Sequence, residues 1–416
     1  GTSSSDPLPT STTKLDQESI SVRANNRYDY RAGKVKFSKE LSGEPVGDFG
    51  YPRKYDFELT CGGTTVENRH FSLNIDRQQN GNPSGAIELT DVPVARDCWI
   101  KPLTGLSTEE SARIKFDGRD VTFDGNGIQA DADGAYHFKL PDYADNTQPS
   151  VGDLHIKAKY SYQLRDVKVF KELTGNGAAS KDLQGESFPV QYKCTWGGAS
   201  NAQKREGTLN IVTLENGPRR RIKDIPVGAE CLIWEQGTPE FPNVKLTGTK
   251  LISGDTSDQV TTLTNEEAKS KPIITVSTDT SDNQNEVHVR NNFEPKLGQV
   301  QLKKLNNRNG LTVDLPTEYT FGFSCGPRSV TRANGQVEYV PLDGIAIVQE
   351  GQVTSLRMSH SDPEIRSLLN DQDGNLGVPY GNQCIFSEQA PNLSVGGVLW
   401  GTDADQATFT VNQPST

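Results

Sequence analysis

The chain has 416 residues, of which 39 are glycine and 23 are proline, with a formal net charge of −11. That length allows about three domains, and a turn-rich composition suits several small sandwiches better than one large core. The acidic balance argues against a nucleic-acid surface, which needs a basic footprint, and no apolar run is long enough for a helix to cross a membrane.

Residues 1–32 open with "GTSSSDPLPTSTTK", which reads as a flexible linker. The following "ISVRANNRYDYRAGKV" resembles a later "VHVRNNFEPKLGQV" and reads as the closing strand of an upstream module. The expectation is therefore a monomeric fragment of a longer array. Three similar units follow, over residues 33–163, 164–296 and 297–416. Each opens on an alternating strand, "GKVKFSKEL", "RDVKVFKEL" or "GQVQLKKLN", and has a second strand ending on a cysteine, "YDFELTC", "FPVQYKC" or "YTFGFSC". A Gly-rich hairpin comes next. In the first two units a "D-I/V-P-V" turn then leads to a strand begun by a second cysteine. The third unit carries an insertion at about 350–380. Helical pattern is confined to one or two turns at "STEESAR", "TNEEAKS" and "SDPEIRSLLND", the last with Pro363 at the first helical position. Period-2 alternation with turn chemistry between runs predicts an all-β chain of three tandem immunoglobulin-like sandwiches.

Six cysteines fall two to a unit. Cys61 to Cys98 and Cys194 to Cys231 have identical spacing, and Cys325 to Cys384 is wider. One disulfide inside each unit is the economical pairing, and it implies an oxidising, extracytoplasmic setting.

A lysine stands in each opening strand, at Lys39, Lys171 and Lys304, at a nearly constant step. Side chains alternate across a strand, so Lys171 shares a face with Val167 and Val169, and Lys39 with Val35 and Phe37. A lysine on an apolar face either snorkels to water at the strand end or needs a partner. The closing strand of the second unit, "NEVHVRNNFEP", puts Asn291 on the face of Val287 and Val289. In the third unit "ATFTVNQPST" offers Asn412. The first unit aligns without gaps as "GDLHIKAKYSY", with Ala158 in place of Asn291.

The strand lysine, a mid-unit "C-x-(I/F)-x-E" and a closing-strand asparagine resemble the Cna B-type repeat of Gram-positive surface adhesins and pilins. The cysteine-bearing version looks like the variant common in actinobacterial wall-anchored proteins. This resemblance covers residues 33–416. It implies a self-made isopeptide bond, in which the lysine amine attacks the asparagine amide, ammonia leaves, and a carboxyl promotes the transfer. A desolvated lysine gives up its proton more readily, and the fold holds the reacting groups together. Carried over, the resemblance assigns Lys171, Glu235 and Asn291 in the second unit, and Lys304, Glu388 and Asn412 in the third. The first unit has Pro102 where the carboxyl belongs and Ala158 where the asparagine belongs, so no crosslink is expected there and Lys39 is expected to snorkel.

The acidic turns "DGNGIQADADG" and "NDQDGN" hold oxygen donors close together, which leaves calcium as an alternative at Asp131/Asp133 or Asp371/Asp373, although neither turn fits an EF-hand loop. No other cofactor is expected. The histidines are scattered, and no catalytic motif such as HExxH, GxSxG or a P-loop is present. The resemblance thus implies a non-enzymatic, cell-surface adhesin or pilus-like stalk not inserted in a membrane, and it alone implies wall anchoring through a region outside this chain. Two alternatives remain. One is a binding region for a host extracellular-matrix or cell-surface protein, such as collagen or fibrinogen. The other is a secreted polysaccharide-processing enzyme with accessory domains.

Overall fold

A computed structural model describes residues 23–48, 53–76, 81–143, 149–197, 202–213, 219–237, 239–253, 260–278, 284–391, 397–401 and 406–412. The linker-like residues 1–22 lie outside that set. The chain forms two compact units, one of Gly1–Leu41, Tyr51–Gly105 and Arg119–Ala158, and one of Ser42–Gly50, Leu106–Gly118 and Lys159–Thr416. The second unit contains residues 164–416, the whole of repeats 2 and 3, together with short stretches of repeat 1. Nearly all regular structure is strand, as the alternating pattern predicts.

Repeat 1 comprises β1 (Ala32–Ser42), β2 (Arg53–Cys61), β3 (Arg69–Ile75), β4 (Ser84–Pro93), β5 (Cys98–Pro102), β6 (Ile114–Phe123), β7 (Asn126–Ile128), β8 (Tyr136–Phe138) and β9 (Val151–Tyr162). These strands form one sheet in the order β4-β1-β9-β6-β7 and another in the order β3-β2-β5-β8. The short helix α1 (Thr108–Arg113) precedes β6. It starts on a reciprocal capping box between Ser107 and Glu110, the motif that "STEESAR" supplies.

Repeat 2 repeats this plan with β10 (Leu164–Thr174), β11 (Ser187–Trp196), β12 (Gln203–Val212), β13 (Arg219–Pro226), β14 (Glu230–Glu235), β15 (Val244–Ser253), β16 (Thr261–Thr264), β17 (Ile274–Thr275) and β18 (Glu286–Pro295). Its sheets run β13-β10-β18-β15-β16 and β12-β11-β14-β17. The inward faces enclose Val167, Val169, Val190, Ile211, Ile233, Leu251, Val287 and Val289, all buried. "TNEEAKS" forms only a single 3-10 turn, Glu267–Lys269. The first and last strands of the repeat, β10 and β18, lie side by side and parallel.

The glycine that ends the lysine strand has a physical reason. Gly175 has φ +87°, and a Cβ there would stand 2.4 Å from the Phe293 carbonyl oxygen of the closing strand; Gly43 has φ +110° and meets the Tyr160 carbonyl in the same way.

Repeat 3 departs from the plan. Its strands are β19 (Leu297–Gly298), β20 (Gln301–Lys303), β21 (Glu318–Thr331), β22 (Val337–Gln349), β23 (Val353–Ser355), β24 (Val378–Pro379), β25 (Gln383–Glu388) and β26 (Ala407–Thr410). One sheet runs β22-β21-β25-β26, while β20 pairs with β23 and β19 with β24. The pairs Leu297↔Pro379 and Gly298↔Val378 match Leu164↔Pro226 and Arg165↔Ile225 of repeat 2. The insertion therefore splits the counterpart of β13 in two and places α2 (Pro363–Leu369) between the halves. Asp362 caps that helix, and its Ile365 and Leu369 enter the core.

The three expected disulfides are present as Cys61–Cys98, Cys194–Cys231 and Cys325–Cys384. In the first two, the cysteines stand directly opposite each other on neighbouring strands.

Candidate functional site

In repeat 2 the alternation of β10 turns Val167, Val169 and Lys171 inward, and all three are buried. The parallel register places Leu173 opposite Asn291, so Asn291 enters the same interior from β18. Glu235 ends β14 on the facing sheet. Relative exposure is 3% for Lys171, 2% for Glu235 and 0% for Asn291. The Lys171 Nζ donates to Glu235 Oε2, and Asn291 Nδ2 donates to Glu235 Oε1 at 2.8 Å. The carboxyl thus touches the Lys171 amine and the Asn291 amide at once.

Burial pushes the Lys171 ammonium down to about 8, against the opposing pull of Glu235. The Phe188 ring lies under its Nζ, 4.5 Å from the ring centre. A group in that state can pass its proton along the hydrogen bond to Glu235 and become a free amine.

Two residues that sequence reasoning missed complete the site. Thr249 pairs with Asn291 across β15 and β18, and its Oγ1 donates to Asn291 Oδ1 at 2.9 Å. A donor on the amide oxygen is placed where charge develops during attack. Asn265 brackets the main chain of Glu235, accepting from its N–H at 2.7 Å and donating to its carbonyl at 2.9 Å. A cleft of about 890 Å³ lined by Trp234, Glu235, Thr249 and Asn265 adjoins the cluster. Neither residue carries a local sequence signal, because each acts through the register of neighbouring strands.

Repeat 3 brings two of its three expected residues together. Lys304 Nζ donates to Glu388 Oε2 at 2.9 Å, and it lies 5.0 Å from the centre of the Tyr319 ring, which occupies the place of Phe188. Their side chains are 14% and 5% exposed. Asn412 is not with them. It is exposed, and the strand before it is not the closing strand. Cys384 faces Phe409 as Cys231 faces Ile274, and Gly381 N–H donates to the Val411 carbonyl as Gly228 N–H donates to that of Val276. By this register β26 is the counterpart of β17, and Asn412 matches Ser277 rather than Asn291.

In repeat 1, Pro102 ends β5 opposite Phe57, as Glu235 ends β14 opposite Val190, and Ala158 is fully buried in β9. Neither position carries a reacting group. The expectation that Lys39 snorkels is corrected: it is 4% exposed, with its Nζ 4.5 Å from the centre of the Tyr55 ring. The lysine keeps its aromatic seat where the chemistry is missing.

The acidic turns use their carboxylates on themselves. Asp131 accepts from the N–H groups of Asp133 and Ala135 and contacts His137, and Asp371 accepts from those of Asp373 and Asn375. These are turn-closing bonds. The hydrogen bond with His137, helped by the backbone N–H groups of Ala135 and Asp133, holds the Asp131 carboxyl below its ordinary range.

A family model described as a domain of unknown function, DUF5979, matches residues 167–294. No curated protein sequence matches the chain. Among solved structures, the chain is similar to a major pilin (T-13) of Streptococcus pyogenes, at 9% identity and a TM-score of 0.26, covering 64% of this chain and all of that one. It is also similar to the Bacillus anthracis TIE protein, at 11% identity and a TM-score of 0.30, covering 92% of this chain and 49% of that one. A third is a Mobiluncus mulieris adhesin described as containing intramolecular disulfide, isopeptide and ester bond cross-links. That match has 13% identity and a TM-score of 0.21, and covers 64% of this chain and 99% of the other.

Proposed function

We propose that repeat 2 closes its own sandwich with an isopeptide bond between Lys171 and Asn291, and that the chain is part of a Gram-positive surface stalk or adhesin. The observation that carries this reading is the buried contact of one carboxyl, Glu235, with both the Lys171 amine and the Asn291 amide. Proton transfer from Lys171 to Glu235 gives a neutral amine beside a carboxylic acid. The Lys171 Nζ then bonds to Asn291 Cγ while Thr249 steadies the amide oxygen. Glu235 passes that proton to the departing Nδ2 and takes up the second Nζ proton as the new amide forms. The Cγ–Nδ2 bond breaks, and the nitrogen receives this proton as well and leaves as ammonium. The carboxyl ends as it began. The reaction runs once per molecule, so Glu235 promotes a self-modification and not a turnover.

The placement suits a load-bearing role. β10 and β18 are the first and last strands of repeat 2, and noncovalent pairing alone would hold them against a pull on the chain. A bond between them, with a disulfide inside the same sandwich, resists that pull covalently. In repeat 3 the Lys304–Glu388 pair has the same chemistry in hand, but Asn412 is not its acceptor.

Intact mass of the unreduced chain tests the reading. It is expected to fall below the sequence mass by six hydrogens for the three disulfides and one ammonia for repeat 2, with the peptides bearing Lys171 and Asn291 joined. A mass without ammonia loss would sink it.

A further inference from the structure

Repeat 2 carries a concentrated basic edge in a chain whose net charge is −11. The run "RRRIK" opens β13, an edge strand of its sheet. Its register against β10 pairs Phe170 with Arg219, Val169 with Arg220 and Lys168 with Arg221. Arg219, Arg220, Arg221 and Lys223 are all exposed. Few carboxylates answer them. Arg221 reaches Asp166 at 3.5 Å, and Asp166 also accepts from the Asp224 N–H. Arg220 donates to the Arg219 carbonyl, and Arg219, Arg220 and Lys223 have no ion pair among the described residues.

The fold does not ask for these cations. At the same places repeat 1 pairs Ser38, Phe37 and Lys36 with Ala86, Ile87 and Glu88. Repeat 3 pairs Lys303, Leu302 and Gln301 with Val353, Thr354 and Ser355. The pairs Val35↔Leu89 and Val167↔Ile222 fix the alignment, and in both strands an aspartate of positive φ, Asp91 or Asp224, follows two residues later. A neighbouring arginine is different. Arg205 donates to the Lys223 carbonyl as Arg69 donates to that of its counterpart Thr90. Arg205 thus ties β12 to β13, a role shared with repeat 1, whereas Arg219, Arg220 and Lys223 hold no other part of the fold.

Side chains two apart on a strand share a face, about 7 Å from one another. Arg219 and Arg221 therefore form a row with Lys223 beyond it, and Arg220 lies on the other side of the strand. A guanidinium takes a tetrahedral oxyanion through paired N–H groups. Beside this row the outer face holds Phe170, half-buried and stacked on His288 with ring centres 4.8 Å apart. A ring next to a cation fits a sugar ring next to its charged substituent, and a bare chain of phosphates would leave the ring unused. A single strand edge is also too narrow to follow both backbones of a double helix.

We propose that the β13 edge of repeat 2 binds a linear polysaccharide carrying sulfate groups, with the sulfates on Arg219, Arg220, Arg221 and Lys223 and a sugar ring against Phe170. The surface lies outside the sandwich whose interior holds Lys171, Glu235 and Asn291, so this binding and the crosslink stand or fall separately. Counterions released by three or four such contacts make the affinity fall about 20–50-fold when salt is raised fourfold.

The full 416-residue chain is passed over immobilised dextran sulfate, with uncharged dextran and polyphosphate as the comparison surfaces. Binding to dextran sulfate with that salt dependence is expected, with none to dextran and weaker binding to polyphosphate. The combined variant Arg219→Val, Arg220→Thr, Arg221→Ser installs the residues of repeat 3 at these places. It should bind dextran sulfate on the order of 100-fold more weakly at an unchanged melting temperature. Should that variant misfold, Lys223→Thr, the residue of repeat 1, carries the test with a loss of about fivefold. Phe170→Ser installs Ser38 of repeat 1, which sits against His155 there. It should weaken dextran sulfate several-fold and leave polyphosphate binding where it was. Three results would each overturn the proposal: no binding to dextran sulfate at low salt, full binding by the folded arginine variant, or equal binding to polyphosphate with no loss in Phe170→Ser.

Discussion

Replacing Asn291 by alanine separates the proposed covalent bond from the packing around it. Ala158 fills the same position of repeat 1 fully buried, so alanine fits the strand. Lys171 and Glu235 keep each other as partners, and no buried charge is orphaned. The lost bond closes a loop from residue 171 to residue 291. On the loop-entropy estimate such a closure stabilises by about 5 kcal/mol. Glu235 Oε1 and the Thr249 hydroxyl also lose their amide partner, which costs about 1–3 kcal/mol for each buried group left unsatisfied. For a repeat of this size the loop term alone lowers the melting temperature by roughly 15–20 °C. Calorimetry of the full chain, with intact mass as the covalent readout, should show one transition displaced by that amount and one ammonia retained. An Asn291→Ala chain that melts with the wild type would refute the argument, because no covalent constraint would then have been removed.

Four further outcomes follow from the site. Thr249→Val removes the donor on the amide oxygen, and the crosslinking rate after refolding, followed by mass, should fall by about 10²–10³-fold. In Asn291→Ala, Lys171 stays titratable. Its folded value of about 8 lies below the ordinary 10.5, so the unfolded chain holds more protons between them, and denaturant melts should show stability rising with pH across that window. Removing the Cys194–Cys231 disulfide with paired alanines should cost repeat 2 about 4 kcal/mol while leaving its ammonia loss intact. Pro102→Glu combined with Ala158→Asn should give repeat 1 an ammonia loss it otherwise lacks, detected by mass.

Much of the fold was legible because strand alternation is a local signal. The cluster of repeat 2 was legible because the lysine recurs in all three opening strands and the glutamate recurs four residues after the second cysteine of repeats 2 and 3. Asn291, in turn, shares the alternation of Val287 and Val289. Asn412 misled because "TFTVN" and "VHVRN" both alternate and end on asparagine. Only the pairing of β26 with β25 shows that the first is the counterpart of β17. Thr249 was invisible for a related reason. It meets Asn291 through a β15–β18 register that shifts between Leu246 and Gly248, and a bulge of that kind leaves no periodic trace in the sequence. The burial of Lys39 was misjudged because a strand-end lysine usually reaches water, whereas here the ring of Tyr55 lies beside its ammonium.

The parallel register of β10 against β18 also bears on the history of each molecule. A one-residue slip would turn Lys171 to the opposite face of the sheet and carry it away from Glu235. The proposed bond could form only after the two strands have found their proper alignment, and the escape of ammonia would make the step one-way. A crosslinked repeat therefore carries a permanent chemical record that it once folded in register. Denaturing it afterwards yields a looped polymer in which strands distant in sequence are already tethered. Its second folding starts from a different molecule than its first, with the most costly long-range encounter already made.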